Sequence, residues 1–224
     1  MKLSILMPVL NEAAGIEAVL RALGPLRERG VELIVVDGGS NDGTAELARA
    51  LTDRVLSASR GRAAQMNAGA AAATGDALLF LHADTRLPQD ADQLVLDGLK
   101  TRAWGRFNVS FDECGWLRLV AIMMNTRSRL TGIATGDQVM FMTRAAFEQA
   151  GGFPPIALME DVALSVRLKR LGRPLCLSAR VTTSGRRWRQ HGLWRTVFLM
   201  WHLRLRYFFG ADPARLARAY GYEN

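Results

Sequence analysis

Short apolar runs alternate with amphipathic segments along the first part of the chain. The runs Leu3–Val9 and Glu32–Asp37 are short, apolar and partly β-branched, which is typical of buried strands. Between them, residues 13–30 carry apolar side chains at helical spacing and end at a glycine, so we expect one helix there. The alternation continues with a helix at 44–53, a strand at 54–58, a helix at 63–74 and a strand at Asp76–Leu81. This order predicts an α/β fold with a mostly parallel central sheet and helices on both faces.

The second half of the chain has a less regular pattern. Residues 104–111 predict a strand at the edge of the sheet, and residues 138–144 predict another strand. A helical pattern at 161–172 ends at a glycine and precedes an apolar run at 174–178. We expect a single domain at 1–190, with residues 191–224 as an amphipathic helical extension of the same domain.

This C-terminal extension contains a helix with an uneven distribution of charge. In residues 193–209, Arg195, His202 and Arg206 form one narrow stripe on a helical projection, and apolar residues fill nearly every other face except at Arg204. The segment is too charged to span a bilayer, but it suits an interfacial helix with aromatic anchors. It would equally suit packing against the sheet or a dimer contact.

Polar residues follow the predicted strands at the points where the strands end. They are Asn11 and Glu12 after the first strand, Asp37 at the end of the second, and His82 and Asp84 after the fourth. In sheets of this kind, ligands bind beyond the carboxyl ends of the strands. Three strand ends therefore converge on one edge of the sheet, which predicts a binding site there.

The charge of the chain bears on its partners. The formal net charge is +8, and arginine dominates from Arg167 to Arg218. Such a balance suits nucleic acid, a phosphorylated substrate or an anionic membrane surface, while a merely solvated basic face is an equal alternative. No RNP, KH or helix-turn-helix pattern accompanies the basic cluster at 184–192, which argues against nucleic acid.

The segment VVDGGSNDGT after the second strand is rich in glycine and short polar residues. It is neither GxGxxG nor the GxxxxGK[ST] of a P-loop, which weakens dinucleotide and ATPase interpretations. A carboxylate at a strand end can accept hydrogen bonds from a base N–H or from ribose hydroxyls, so we expect Asp37 to face a ligand. The alternative is an Asx turn followed by a helix cap, and we expect Asp42 to be the structural member.

Asp84 and His82 are candidate ligands for a divalent metal. Mg²⁺ takes oxygen ligands, commonly one or two carboxylates together with substrate phosphates, and Mn²⁺ also accepts imidazole. The two side chains share one side of the chain only while the strand stays extended through them. As an alternative, Asp84 would cap the helix that starts near Pro88.

Two predicted helix starts carry charged or polar side chains. Arg62 and Asn67 lie where positive charge beside a helix start suits a diphosphate or a sugar hydroxyl, and a solvent-exposed arginine is the alternative. Glu160 and Asp161 precede the helical pattern at 161–172. A carboxylate there could take the proton of an attacking hydroxyl, or both acids could simply cap the helix and favour its dipole.

Four segments in this order, MPVLNE, VVDGGSNDGT, LLFLHADT and MEDVALSVRLKRLG, make the chain resemble glycosyltransferase family 2. The resemblance implies a nucleotide-diphosphosugar transferase fold of GT-A type. It also implies inverting transfer of a sugar from a nucleotide-diphosphate sugar to an unidentified hydroxyl acceptor, which a lipid could carry, with help from Mn²⁺ or Mg²⁺. The chain departs from the DxD metal motif of the family because His82 stands in place of the first Asp.

The resemblance also implies roles for individual residues. Asp161 would be the general base, with Glu160 as the second choice, and Asp84 with His82 would hold the metal. The implied substrate-binding residues are Pro8, Asn11, Glu12 and Asp37 around the nucleoside, Arg62 and Asn67 at the helix start, Asp137 and Gln138 near acceptor and sugar, and Arg186, Arg187 and Trp188 over the pyrophosphate.

Other classes of protein stay open. A sugar-phosphate nucleotidyltransferase on the same fold would carry a glycine-rich, basic loop after the first strand, which PVLNEAAGIEA lacks. A non-catalytic nucleotide- or membrane-binding module is made credible by His82, and the intact Glu160-Asp161 pair argues against it.

The expected location follows from the apolar runs. The N-terminus becomes polar too soon for a secretory signal, and no run reaches the ~20 apolar residues of a spanning helix. We expect a cytoplasmic protein, either free or peripheral at the inner face of the membrane, and we leave a homodimer open.

Overall fold

A computed structural model describes residues 1–112, 115–186 and 192–221 of the chain. The strands are β1 (Leu3–Val9), β2 (Glu32–Asp37), β3 (Arg54–Ser57), β4 (Ala77–Phe80), β5 (Thr85–Arg86), β6 (Trp104–Phe111), β7 (Met140–Thr143) and β8 (Leu175–Thr183). The helices are α1 (Ala13–Ala22), α2 (Gly24–Glu28), α3 (Thr44–Arg49), α4 (Arg62–Ala72), α5 (Ala91–Gly98), α6 (Trp116–Thr131), α7 (Arg144–Gln149), α8 (Glu160–Leu168), α9 (Leu193–Phe208) and α10 (Pro213–Tyr220).

The strands form one sheet in the spatial order β3-β2-β1-β4-β7-β6-β8-β5. β1 pairs in parallel with β2 and β4, and β2 pairs in parallel with β3. β7 runs antiparallel to both of its neighbours, β4 and β6. The α/β fold predicted from the alternation of runs is confirmed, with a parallel half that ends at β4 and a mixed half beyond it.

Alternation along β1 explains why helices cover both faces of the sheet. Leu3, Ile5 and Met7 point into one apolar cluster, which includes residues of α1, α2, α3 and α5. Leu6 points the other way, into a cluster with residues of α4, α7 and α8. All six residues of β2 are buried, as expected of a strand whose two faces are both covered.

Two local expectations are wrong. The helix expected over 13–30 is divided into α1 and α2 at Leu23. Pro25 has no backbone N–H to donate to the preceding turn, so it lies at the start of α2 and not inside one continuous helix. The strand β6 lies inside the sheet rather than at its edge, since β8 pairs with it in parallel on the far side of β7.

The C-terminal helices α9 and α10 pack beside the start of α8. They share a third apolar cluster, formed by Leu158, Met159, Leu203, Leu216 and Ala217. The opposite face of α9 leaves large apolar side chains exposed, among them Phe198, Trp201, Leu205 and Phe208. Among the described helices, none combines the length and the apolar character that crossing a bilayer would take.

Candidate active site

A cleft of about 1390 Å³ opens where β1 and β4 end. Its walls are the loop after β1, the start of α4, the turn after β4, the 3-10 turn Gly136–Gln138, the start of α8, and one side each of α6 and α9. Single small-molecule pockets usually have volumes of about 300–1,000 Å³. This cleft therefore has room for two substrates together.

The structure brings most of the expected site residues into this cleft. Those that line it are Pro8, Glu12, Arg62, Asn67, His82, Asp84, Asp137, Glu160, Asp161 and Arg186. Asn11, Asp37 and Gln138 are not part of its lining. Arg187 and Trp188 lie outside the described residues.

The carboxylate of Asp37 is engaged by its own loop. It accepts the backbone N–H groups of Gly39 and Ser40 at 3.1 Å, and also the hydroxyl of Ser40. The amide oxygen of Asn11, a residue with a φ of +54°, accepts the N–H of Asn41 at 3.0 Å. These contacts hold the loops after β1 and β2 together, and a nucleoside contact by Asp37 or Asn11 stays a prediction.

Asp42 has the structural role expected of it. Its carboxylate accepts the N–H and the hydroxyl of Thr44, and it also accepts the N–H of Ala13 at 3.0 Å. The hydroxyl of Thr44 in turn accepts the N–H of Glu12 at 2.8 Å. Asp42 therefore fixes the start of α1 against the start of α3 and so sets the position of Glu12.

Gln65 has a positioning role that was not expected from the sequence, which places it only among the polar side chains near a predicted helix start. Its buried amide donates to the carbonyl oxygens of Val9 and Val36, both at 2.8 Å, and so joins the ends of β1 and β2. Asn67 exchanges two hydrogen bonds with the backbone of Phe153, at 2.8 and 3.0 Å. The sequence offered one sign of this role, because Gln65 lies in a helix made largely of alanine. A glutamine that is buried in such a helix needs hydrogen-bond partners for its amide.

The chain turns sharply after β4. The strand ends at Phe80, and the carbonyl of His82 accepts the N–H of Thr85 at 3.1 Å. The extended backbone that would place His82 and Asp84 on one side is therefore absent at this turn, although both residues line the cleft. Asp84 is exposed, and its carboxylate accepts the hydroxyl of Thr85 at 3.2 Å.

His82 is packed tightly against the turn at Gly136. A Cβ at Gly136 would lie 2.5 Å from Cε1 of the imidazole, so any larger residue here would force the ring to move. The Nδ1 atom lies 3.9 Å from a carboxylate oxygen of Asp137. Burial, and next the charge of Arg62, lower the pKa of His82, with Asp137 and Asp84 opposing. The imidazole is therefore neutral at neutral pH and keeps one nitrogen lone pair.

The acid pair lies at the start of α8. The Oδ2 atom of Asp161 accepts the N–H of Gly136 at 2.8 Å, and its Oδ1 atom accepts the N–H of Val162 at 2.7 Å. Glu160 is only 7% exposed. Burial, followed by the negative charge of Asp161, raises the pKa of Glu160 to about 7. The two acids are thus in different environments, with Asp161 held by backbone donors and Glu160 largely protonated below neutral pH.

Positive charge lies near the loop after β1. Burial raises the pKa of Glu12, whereas the charges of Arg186 and Arg62 lower it and that of Asp84 raises it. The two arginines and Asp84 therefore all come close to Glu12. Such a mixture of guanidinium and carboxylate groups suits a diphosphate bound together with a cation.

The donor set of the cleft fits a metal ion that takes most of its ligands from a substrate. Across residues 1–112, 115–186 and 192–221, no group of three or more His, Cys, Asp or Glu side chains is arranged to hold an ion. Asp84 offers an exposed carboxylate, and His82 a neutral imidazole nearby. Mg²⁺ commonly binds through one or two carboxylates plus substrate phosphates, so Asp84 and a diphosphate meet that requirement.

A sheet of this topology, with its cleft at the ends of the parallel strands, is the GT-A fold of glycosyltransferases. The chain belongs to Glycosyl transferase family 2, whose profile matches residues 4–148, more than half of the chain. The family expected from the four sequence segments is thereby confirmed.

Solved structures establish the fold independently. Staphylococcus aureus TarS 1–349 in complex with UDP-GlcNAc is similar with a TM-score of 0.68 and 18% identity, over 82% of this chain and 58% of that one. The mannosyltransferase PcManGT from Pyrobaculum calidifontis, in complex with GDP-Man and Mn²⁺, is similar with a TM-score of 0.68 and 21% identity. That likeness covers 98% of this chain and 69% of the mannosyltransferase.

A curated relative is similar in sequence. The succinoglycan biosynthesis protein ExoA of Rhizobium meliloti (strain 1021) is 38% identical over 114 residues, which cover 44% of this chain and 33% of ExoA. The aligned part is therefore a third of the length of that relative.

Proposed function

We propose that this chain is an inverting glycosyltransferase that moves a sugar from a nucleotide-diphosphate sugar to a hydroxyl acceptor. The observation that carries the proposal is the presence of the acid pair Glu160-Asp161 in the same cleft as Asp84, Arg62 and Arg186. One cleft thus holds a candidate base and a candidate diphosphate site. Membership of the family supports the reaction class, and the nucleotide sugars bound to TarS and PcManGT support the donor class.

In this reaction the acceptor oxygen attacks the anomeric carbon from the side opposite the diphosphate. A new C–O bond forms, the bond to the diphosphate breaks, and the diphosphate leaves with the electron pair. Asp161 takes the proton of the acceptor hydroxyl, with its carboxylate oriented by the N–H groups of Gly136 and Val162. Glu160 is the second candidate for this role, because a base with a pKa near 7 is well matched to neutral pH.

The leaving diphosphate needs compensation for its charge. Arg62 and Arg186 would lie beside it and stabilise the charge that develops as the bond breaks. Asp84 would hold a divalent metal, with His82 as a further donor; when bound, such an ion neutralises phosphate charge. Pro8, Glu12 and the loops held by Asn11 and Asp37 would contact the nucleoside.

Nucleotide binding tests the donor site. The thermal stability of the protein would be measured with UDP, GDP, dTDP and CDP, each with Mn²⁺, Mg²⁺ or EDTA. A ligand at ~100 times its dissociation constant adds about 2.7 kcal/mol to the folded state, which a melting curve resolves. We expect one diphosphate to stabilise the protein only with metal, and Asp84→Asn to remove that gain while the exposed control Asp90→Asn keeps it. Stabilisation by none of the four would contradict the proposal.

Turnover tests the base. Asp161→Asn preserves the shape of the side chain and one of its two acceptor oxygens, so we expect it to bind nucleotide normally and to lose transfer and donor hydrolysis. Glu160→Gln should keep most of the turnover. The reverse result would assign the role of base to Glu160. Full activity of both variants would show that neither acid is the base.

The exposed side of α9 supports a peripheral membrane position at the inner face of the membrane. Phe198, Trp201 and Phe208 are 59–81% exposed, and Arg195 and Arg206 are exposed on the same helix. Aromatic side chains beside cations are typical of interfacial helices. Sedimentation with anionic vesicles should capture the protein, and Phe198→Ser with Trp201→Ser should release it. A homodimer through this face would instead give a doubled mass in solution without vesicle binding.

A further inference from the structure

Two arginines from different helices line the cleft where α6 and α9 approach it. Arg127 belongs to α6 and Arg204 to α9. The Nε and Nη2 atoms of Arg127 and the Nε atom of Arg204 are buried, and within the described part of the chain they have no hydrogen-bond partner. Neither guanidinium takes part in an ion pair among the described residues.

Arg106 shows how the same fold treats a buried structural arginine. Its side chain is completely buried, and its guanidinium donates to the hydroxyl of Ser128 and to the carbonyl oxygens of Phe107 and Asn125. A buried cation without such partners is costly and is normally paired. Because Arg127 and Arg204 lack these partners and face a cleft, their geometry is that of an anion site.

The charge of this pair indicates the kind of anion. Burial and then the nearby charge of Arg204 lower the pKa of Arg127 to about 10, so the guanidinium of Arg127 remains charged at neutral pH. Arg127 and Arg204 thus place two positive groups near each other. One carboxylate would balance one of these charges. A phosphate monoester carries about −1.5 to −2 at pH 7 and accepts bidentate hydrogen bonds from arginine, so it matches the pair more closely.

The position of the pair separates it from the expected donor diphosphate. The acids whose charges reach Arg127 are Asp161 and Asp137, whereas Arg186 acts on Glu12, and Arg62 lies between them because its charge reaches both Glu12 and Glu160. The pair therefore lies on the side of the candidate base, where an acceptor has to bind. The surrounding wall is apolar and consists of Val120, Met123, Met124, Val197, Met200 and Trp201.

We propose that Arg127 and Arg204 bind a phosphate monoester group carried by the acceptor, which places the acceptor hydroxyl beside Asp161. This inference rests on the proposed transferase function and names the acceptor class for the same cleft. The phosphate belongs either to a lipid, whose chain would follow the apolar wall, or to a water-soluble molecule. The two arginines anchor the acceptor through hydrogen bonds and charge, and neither forms or breaks a covalent bond.

Calorimetric binding of three probes tests this proposal, with the stabilising nucleoside diphosphate present at saturation so that the donor site is filled. The probes are octanoyl lysophosphatidic acid, glycerol 3-phosphate and monooctanoylglycerol. We expect the first to bind at least tenfold more tightly than the neutral lipid, which lacks the phosphate. If it also binds more tightly than glycerol 3-phosphate, the phosphate is lipid-borne; if the two bind equally, a soluble phosphate monoester is the acceptor class.

Variants connect this binding to the two arginines. Arg127→Gln and Arg204→Gln should each weaken binding of the phosphate probes by roughly tenfold or more, as expected for loss of a charged hydrogen-bonding group. Arg129→Gln on α6 and Arg215→Gln on α10, which change exposed arginines outside the cleft, should leave it unchanged. Arg127→Met should melt no lower than the wild type, because it removes an unpaired buried charge while keeping apolar bulk.

Three results would overturn the proposal. Equal binding of the phosphate and neutral probes would exclude a phosphate site. Weaker nucleoside diphosphate binding by Arg127→Gln would assign the pair to the donor, and a much lower melting temperature of Arg127→Met would give Arg127 a structural role. In each case, retained nucleotide binding by the wild type would leave the transferase proposal standing, whereas its absence would count against the transferase itself.

Discussion

The environment of Glu160 predicts how the stability of the protein depends on pH. Its pKa rises from an ordinary value of 4.5 to about 7, first because the side chain is buried and then because Asp161 is adjacent. Between these two values the folded state binds more protons than the unfolded state, so the contribution of Glu160 to stability falls as the pH rises. A shift of this size corresponds to about 3 kcal/mol of lost stability once the pH exceeds the folded pKa.

Replacing Glu160 by glutamine keeps the size of the side chain and removes its ionisation. We therefore expect Glu160→Gln to match the wild type near pH 4 and to exceed it by about 3 kcal/mol at pH 8. The free energy of unfolding would be measured by urea titration of both proteins at intervals of one pH unit. Other titrating groups cancel in the difference between the two curves.

Two comparisons make this experiment decisive. Glu148→Gln makes the same substitution at an exposed position and is the matched control for the substitution itself. In an Asp161→Asn background the second cause of the shift is gone, so the gain from Glu160→Gln should be smaller at pH 8. A gain from Glu160→Gln that is the same at pH 4 and pH 8 would show that Glu160 has an ordinary pKa, and the reasoning from burial would be wrong.

Further predictions concern the residues that shape the cleft and cap the last helix. Gly136→Ala would drive a methyl group to 2.5 Å from the imidazole of His82, and we expect it to lower the free energy of unfolding by about 1–3 kcal/mol; unchanged melting would mean that the imidazole moves freely. Asn67→Ala leaves the N–H and carbonyl of Phe153 without their partner and should also cost about 1–3 kcal/mol in urea titration, unless water replaces both bonds. Asp212→Ala removes the acceptor for the N–H of Ala214 and should cost about 1 kcal/mol, whereas Asp212→Asn should be nearly neutral.

The parallel half of the sheet could be predicted closely because its strands are buried on both faces. β1 and β2 begin and end at the residues expected, since a short apolar run bounded by polar residues leaves little choice. The position of β6 could not be predicted in the same way. Its central place depends on pairing with β8, which lies more than 60 residues further along the chain, and no local pattern encodes that partner.

In the candidate site, too, some positions follow from the local sequence and others from long-range packing. The grouping of Glu12, His82 and Asp84 follows from the ends of neighbouring strands, which the sequence locates. The pairing of Arg127 with Arg204 depends on how α6 and α9 lie around the cleft. The local sequence shows only that Arg204 interrupts an apolar face of its helix, and it does not indicate Arg127 as its neighbour.

The cleft combines residues from inside and outside the region that the family profile matches, and this bears on substrate choice. The family profile ends at residue 148, so it covers the strand ends and Asp84 but stops before Asp161, Arg186 and Arg204. Most residues of the proposed donor site lie in the matched region, with Arg186 as the exception, whereas the proposed acceptor site combines Arg127 from that region with Asp161 and Arg204 from later segments. Because α9 contributes both an apolar wall and a buried arginine, changes in that helix should alter acceptor preference while leaving nucleotide binding intact. The proposed sites therefore predict that donor and acceptor preference can be varied separately, through Asp84 and α9 respectively.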